Sequence, residues 1–439
     1  MNVRVPSPPD GPAPSPGVTQ GSRFSQALIS LRMYNFRVYW CGQLVSQAGT
    51  WMQSVGQAWL VLELTNSPVA LGTVVALQTL PVLCMSLFAG VIIDRVPKHR
   101  LLLGTQTTAL IQSAILAALT LSGHIQLWQI YILATMLGCV NAFDNPTRQS
   151  FVMELVGREN LVNAVGLNSA QFNSARLIGP SLGGLVIAQA GVGMCFLVNS
   201  VSFFASLAAL LMLRTAELHV VSDRRVGQRV VQEFSEGIRY LRRMPQLLTV
   251  IIVLAGIGCF GYNWNTVTPL VATDLLHVGA EGFGLLVSGL GLGSLGGAVV
   301  VAVRGRASMR VLLGAAGVFS LAYLALALTH WYGLSFALFA VLGFVGLTFS
   351  TAANTMLQLG TPDRLRGRVM AVYTLLMLGS TPIGSLFTGF LTGAAGIQWT
   401  IATEGSICVV AVSLAIAYQL RHRSLSRGSP DAAARLAVT

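Results

Sequence analysis

Twelve stretches of predominantly apolar residues recur along the chain, near 37–62, 71–93, 101–122, 127–147, 162–189, 194–213, 247–272, 282–303, 310–329, 333–353, 368–393 and 398–420. About 20 such residues in a helix cross the hydrocarbon core of a bilayer. The pattern therefore predicts an all-α membrane protein with twelve transmembrane helices. A long polar stretch, 214–246, falls almost midway and divides the chain into a six-helix bundle at 24–213 and a second at 247–420, with tails at 1–23 and 421–439. Residues 1–23 are rich in Pro and Gly and have no apolar run, which predicts a disordered cytoplasmic tail rather than a signal peptide. Phe24, Ala27, Leu28 and Leu31 repeat at helical spacing and predict a short surface helix before the first span.

Composition strengthens this picture: of 439 residues, 54% are hydrophobic and only 10% charged. Arginine supplies the orientation. The connections near 63–70, 123–126, 190–193, 273–281, 330–332 and 394–397 hold no Lys or Arg, whereas every basic residue except Arg176 lies in or beside the opposite set. The positive-inside rule puts that set, and both termini, in the cytoplasm of a cell whose inner membrane the chain spans. In 214–246, Val230, Phe234, Ile238 and Leu241 share one helical face amid Arg224, Arg225, Arg229, Arg239, Arg242 and Arg243. An interfacial amphipathic helix attracted to anionic lipid fits this pattern better than a nucleic-acid contact.

Several chemistries drop out. The single lysine, Lys98, follows Pro97, so no Gly-Lys-Ser/Thr phosphate loop exists and an ATP-driven pump on this chain is excluded. Cys41, Cys84, Cys139, Cys195, Cys259 and Cys408 all fall in apolar runs without paired spacing, and no histidine lies in a span. No metal, cofactor or enzymatic centre is expected. Gly291-Leu-Gly293-Ser-Leu-Gly296 imitates a dinucleotide fingerprint inside an apolar helix, where overlapping Gly289, Gly293 and Gly297 indicate helix packing. Gly179-Pro-Ser181-Leu-Gly183 imitates a hydrolase nucleophile turn without its strand.

The polar residues inside the spans are the candidate chemistry. Gln43, Gln47, Thr50, Ser54 and Gln57 form a stripe along the first span that has to face water or other helices. Arg176 sits mid-span in the fifth helix, where insertion costs ~2.5–3.5 kcal/mol. It is either a cavity cation serving substrate or cycle, or a structural charge held by helix-end carbonyls. Asn141, Asp144, Asn145 and Arg148 share a face of the fourth span, with Asp144 and Arg148 one turn apart as a default ion pair. The second half contributes Tyr262, Asn263, Trp264, Asn265, Asn354, Thr355, Tyr373, Thr374 and Ser380. Glu63 and Glu404 read as interface positions. No acidic residue occurs between Glu281 and Asp363, which assigns proton coupling to the first half, at Asp144 and Arg148.

Two stretches carry a family resemblance. Gly90-Val-Ile-Ile-Asp94-Arg95-Val-Pro97-Lys98-His99-Arg100 resembles the signature loop of the major facilitator superfamily, with Pro97 where glycine is usual. Gly166, Ala175 and Gly179-Pro180-Ser181-Leu182-Gly183-Gly184 resemble its antiporter motif, with Ala175 in place of a glycine. The run from Phe143-Asp144-Asn145-Pro146-Thr147-Arg148 to Gly184 resembles the enterobactin-exporter and macrolide-efflux branch. The resemblance implies a major facilitator fold of two pseudo-symmetric halves and a conformational gate formed by Gly90, Asp94, Arg95, Gly179, Pro180, Gly183 and Gly184. The halves also repeat weakly on their own evidence: Gly157-Arg158-Glu159-Asn160-Leu161 recurs as Pro362-Asp363-Arg364-Leu365, each followed by a Gly-x4-Gly pair.

The expected function is secondary active export of a small organic molecule (drug, siderophore or other metabolite) by alternating access, with proton antiport. A substrate cavity is expected at Gln43, Gln47, Thr50, Ser54, Arg176, Asn263, Asn265 and Asn354. Partners are the substrate, protons and membrane lipids. The rivals are a proton-linked uptake permease of the same fold and a non-transporting scaffold or membrane enzyme.

Overall fold

The computed structural model describes residues 28–219, 230–304 and 307–427. The tail at 1–23, Phe24 and Ala27, the arginines at 224, 225 and 229, the chain beyond 427, and the side chains of Asp94, Val230 and Phe234 lie outside the described residues. A short 3-10 turn, Ile29–Arg32, leads into α1 (Tyr34–Thr65), followed by α2 (Pro68–Arg95), α3 (Lys98–Leu121), α4 (Leu127–Val156), α5 (Leu161–Ala190) and α6 (Val192–Leu211). A linker helix, Val230–Arg243, precedes the second half. There α8 is Ala280–Arg304, α9 Met309–Leu328, α10 Tyr332–Leu359 and α12 Ile397–Arg427.

Local chemistry sets the turns. Asn66, left-handed at φ 46°, ends α1, and the Ser67 hydroxyl accepts from the Ala70 amide to start α2 with Pro68 in its first turn. Gln126 and Gln129 cap each other's backbone at the start of α4. Gly157 and Gly191 end α4 and α5 at φ 71° and 80°.

Spans seven and eleven depart from the continuous helices expected. α7 (245–275) runs Pro245–Gly256, a π-turn Ile257–Gly261, Trp264–Leu270 and a π-turn Val271–Leu275. α11 (363–395) runs Asp363–Thr374, a π-turn Leu375–Gly379 and Thr381–Ala395. Pro269 and Pro382 lack the N–H that would continue a ladder, and a hydropathy window does not register that loss. The two breaks meet: a methyl on Gly258 would lie 2.5 Å from the Leu376 carbonyl.

Among the described residues, nine helices are long and apolar enough to cross a membrane, or ten with the bent pair around 244. α1 and α5 are long enough but too polar, and they are the helices that carry the Gln-rich stripe and Arg176. The chain is thus all helical among the described residues, with α1–α6 before the linker helix and α7–α12 after it.

The halves meet unevenly. Call the end carrying residues 66–67, 191 and 276–279 arginine-poor, and the end carrying 96–97, 157–160 and the linker arginine-rich. Toward the arginine-poor end α5 lies backbone to backbone on α8: a methyl on Gly184 would stand 2.5 Å from the Ala280 carbonyl, and one on Gly284 2.4 Å from that of Pro180. α2 lies as closely on the second segment of α11, where Gly72 faces the Ser385 carbonyl at 2.4 Å from such a methyl. Trp59 of α1 stacks on Phe283 of α8 with centroids 6.3 Å apart. Toward the arginine-rich end, a methyl on Gly90, Gly166 or Gly367 would meet no atom within 4 Å. Among the described residues, the halves are closed on each other toward the arginine-poor end.

Two smaller readings also take structural form. Gly293 of α8 lies so near α10 that a methyl would overlap the Ala340 carbonyl, which makes the dinucleotide-like glycines a helix contact. The linker helix docks on the second half, with Arg368 paired to Glu236 and the Tyr240 hydroxyl donating to the Gly360 carbonyl at 3.0 Å.

Candidate substrate cavity and buried polar networks

Where the closed end gives way, α1, α5, α7 and α8 surround a cavity of about 200 Å³. α1 presents Trp51, Ser54, Val55 and Ala58, α5 presents Arg176, and α7 presents Tyr262, Trp264, Asn265 and Thr268. Phe283, Val287 and Leu290 of α8 complete it. The break in α7 is what turns Tyr262, Trp264 and Asn265 toward α1, because the irregular residues Tyr262 and Asn263 join its two segments. The aromatic wall is held from behind: Tyr262 stacks on Phe319 at 5.7 Å and donates to the Gly346 carbonyl at 2.6 Å, while Trp264 packs edge-on to Phe319, Tyr323 and Phe339. Such pairs fix ring orientation before any ligand arrives.

Arg176 has a guanidinium 5.6 Å from the centroid of Trp51, a cation–π contact. Among the described residues it forms no ion pair, and its buried Nε has no hydrogen-bond partner. Among the described residues, no helix-end carbonyl or carboxylate answers it. The backbone around it is engaged: Pro180 frees the Arg176 carbonyl, which would lie 3.1 Å from a methyl on Gly291 of α8. A second space, about 710 Å³, opens toward the arginine-rich end between α1, α4 and α5. Gln43, Gln47, Asn145, Arg148, Gln149, Asn168 and Asn173 give it an amide-rich lining.

The other expected cavity residues distribute as follows. Ser54 and Asn265 line the smaller cavity with Arg176, and Gln43 and Gln47 line the larger. Thr50 instead donates to the Ser46 carbonyl of its own helix at 2.9 Å. Asn263 is buried and turned to α11; its Nδ2 donates to the Cys259 carbonyl, and Gly384 leaves room for its amide. Asn354 accepts from Gln358 at 2.6 Å and lines neither space. Gly179 and Gly183 pack on α1 at Trp51 and Met52, within the first half, whereas Gly184 and Pro180 face α8 across the interface. Arg95 is exposed at the arginine-rich end.

Asp144 and Arg148 form their ion pair, Asp144 being only 4% exposed. Its Oδ1 also accepts from Thr105 at 2.7 Å and Gln106 at 2.9 Å. Gln106 accepts in turn from Ser206, and Ser206 from Gln43, so the carboxylate is wired to the polar face of α1. A second buried set joins Gln53, Gln112, Ser113 and Asn199, with Gln53 Oε1 accepting from Ser113 at 2.7 Å and Asn199 at 2.6 Å. Gln53 lies off the stripe that drew attention in the sequence. The polar residues Gln106, Gln112 and Ser113 inside an apolar span were the available signal.

Glu404 requires a correction. Rather than marking an interface, it is wholly buried in the second half, where α9 and α11 give it Tyr323, donating at 2.8 Å, and Thr388. Hydropathy reports how apolar a span is and not which face turns inward, so a single acid near a helix end carries no burial signal.

Comparison with known proteins agrees with this architecture. The model of the transmembrane secretion effector family matches residues 25–435. The multidrug efflux pump Tap of Mycolicibacterium fortuitum is 28% identical over 81% of this chain and 89% of that protein. The staphyloferrin A transporter of Staphylococcus aureus is 25% identical over 83% of this chain and 91% of its own length. The enterobactin exporter EntS of Escherichia coli is 24% identical over 88% and 92%. Among solved structures, an inward-facing, unoccupied bacterial homologue of the lysosomal transporter Spinster has TM-score 0.67 at 14% identity, covering 91% of this chain and 98% of that one, a likeness of fold. These relatives are transporters rather than enzymes, and multi-pass membrane proteins. The chain belongs to the transmembrane secretion effector family of the major facilitator superfamily.

Proposed function

We propose that this protein is a secondary exporter that moves a small organic molecule out of the cytoplasm by alternating access, in exchange for protons. One observation carries the reading: an arginine with no ion-pair partner among the described residues lines an aromatic cavity at the point where the seal between the halves at the arginine-poor end gives way. A cavity at the midplane between two halves that are open at one end is the arrangement alternating access requires. With the arginine-rich end in the cytoplasm, as the positive-inside rule assigns it, both termini are cytoplasmic and this conformation is open inward.

In this reading Arg176, Ser54 and Asn265 hold the substrate, while Gln43 and Gln47 line the approach to it. Asp144 and Arg148 couple the cycle to protons: protonation of Asp144 releases Arg148 and loosens the Thr105–Gln106–Ser206–Gln43 chain that reaches α1. Gly184 and Pro180 form the outer seal with α8. Gly90, Asp94 and Arg95 form the inner gate, and anionic lipid holds the linker helix at the membrane surface. Uptake by everted membrane vesicles tests direction. Substrate entering such vesicles when their interior is acidified supports export, whereas accumulation only in right-side-out vesicles supports an uptake permease.

A further inference from the structure

Three properties of the small cavity bear on what enters it. The first is charge: Arg176 is the one cationic side chain among the described residues that line it, no Asp or Glu lines it or the adjoining space of about 110 Å³, and the guanidinium lacks an ion-pair partner among the described residues. The second is orphaned donors: the buried Nε of Arg176 and the hydroxyl of Thr268, both at the cavity, have no hydrogen-bond partner. The third is shape. Trp51, Tyr262, Trp264 and Phe283 provide flat apolar walls, and about 200 Å³ is below the roughly 300–1,000 Å³ of drug-sized pockets.

We infer that this cavity takes the anionic, aromatic end of the substrate, selecting organic anions over organic cations and over neutral isosteres of the same shape. The inference rests on the proposal that the Arg176 cavity is the transport site. A carboxylate or phenolate supplies an acceptor that Arg176 lacks, and a carboxylate does so in the planar, two-oxygen geometry that a guanidinium fork matches. An attached ring lies between the aromatic walls. A neutral isostere leaves the cation uncompensated in a poorly solvated place, and an organic cation adds repulsion with no carboxylate to offset it. The remainder of a larger substrate extends beyond the cavity, whose volume suits one or two fused rings.

Titration calorimetry on the purified full-length protein, with 2-naphthoate, 2-naphthamide and 2-naphthylmethyl-trimethylammonium as probes, tests this. The naphthoate is expected to bind roughly ten- to a hundred-fold tighter than the amide, and the ammonium not to saturate. Arg176→Gln is expected to erase the naphthoate–amide difference while still binding the amide, which shows the cavity to be folded. Equal binding of amide and naphthoate to the wild type, saturable binding of the ammonium, no naphthoate binding, or a preference that survives Arg176→Gln overturns the inference. Failure of the transport reading is separate: naphthoate then binds with the stated preference, yet wild-type vesicles carry no flux that it inhibits.

Discussion

The hydroxyl of Ser288 on α8 donates to the carbonyl of Leu177 on α5 at 2.7 Å, one residue from Arg176. It also lies 2.5 Å from the Ser181 hydroxyl, so the seal between the halves and the candidate binding residue share one turn of α5. Occupancy beside Arg176 and closure of the arginine-poor end are mechanically adjacent.

That adjacency predicts the effect of widening the seal. A methyl on Gly184 would press to 2.5 Å on the Ala280 carbonyl, and a larger side chain holds α5 and α8 apart. Gly184→Val is expected to favour the state open at the arginine-poor end. In a cysteine-free background, a single cysteine replacing Asn265 should then react with a membrane-impermeant maleimide from outside cells about ten-fold faster than with Gly184 intact. Unchanged labelling argues against this seal.

Asp144 offers a second test. Asp144→Asn keeps the shape and two of its hydrogen bonds but removes the charge that answers Arg148. The expected outcome is loss of pH-driven export with counterflow exchange retained. Removing one member of a buried pair costs roughly 3–5 kcal/mol in closed sites and less where, as here, Arg148 borders an open cavity lined by polar side chains. Asp144→Asn/Arg148→Gln should therefore melt higher than Asp144→Asn alone. Proton-driven accumulation by Asp144→Asn would transfer coupling elsewhere.

Much of this was legible in the sequence. Arg176, Ser54 and Asn265 come together at one cavity, and the one-turn spacing of Asp144 and Arg148 gives an ion pair. What escaped was orientation about a helix axis. Glu404, Asn263 and Gln53 are polar residues whose direction depends on which neighbours α12, α7 and α1 acquire, and composition along a span does not encode that. The breaks in α7 and α11 escaped for a related reason, since Pro269 and Pro382 act on backbone hydrogen bonds that hydropathy does not count.

Glu404 is predicted to anchor the second half. Glu404→Ala leaves the hydroxyl of buried Tyr323 without its acceptor, at roughly 1–3 kcal/mol for the unsatisfied group, while Thr388 falls back on the Gly384 carbonyl. The purified variant should melt several degrees below wild type, and Glu404→Gln, which keeps a carbonyl acceptor, should recover most of the loss. Equal melting of Glu404→Ala and wild type contradicts an anchoring role.

Orientation has its own test in single cysteines placed in the cysteine-free chain. Replacements of His124, His277 and His330 are expected to label from outside intact cells, and replacements of Arg229 and Arg427 only after permeabilisation. Outside labelling at Arg229 reverses the assignment of inside and outside.

Whether Arg176 serves transport or only structure is decided by export measured with membrane-inserted variants. Lysine keeps the charge and loses the planar fork of donors. Arg176→Lys is expected to reach wild-type levels in the membrane, to melt within a few degrees of wild type and to export at about a tenth of the rate or less. Wild-type export by a stably inserted Arg176→Ala protein contradicts a role in transport.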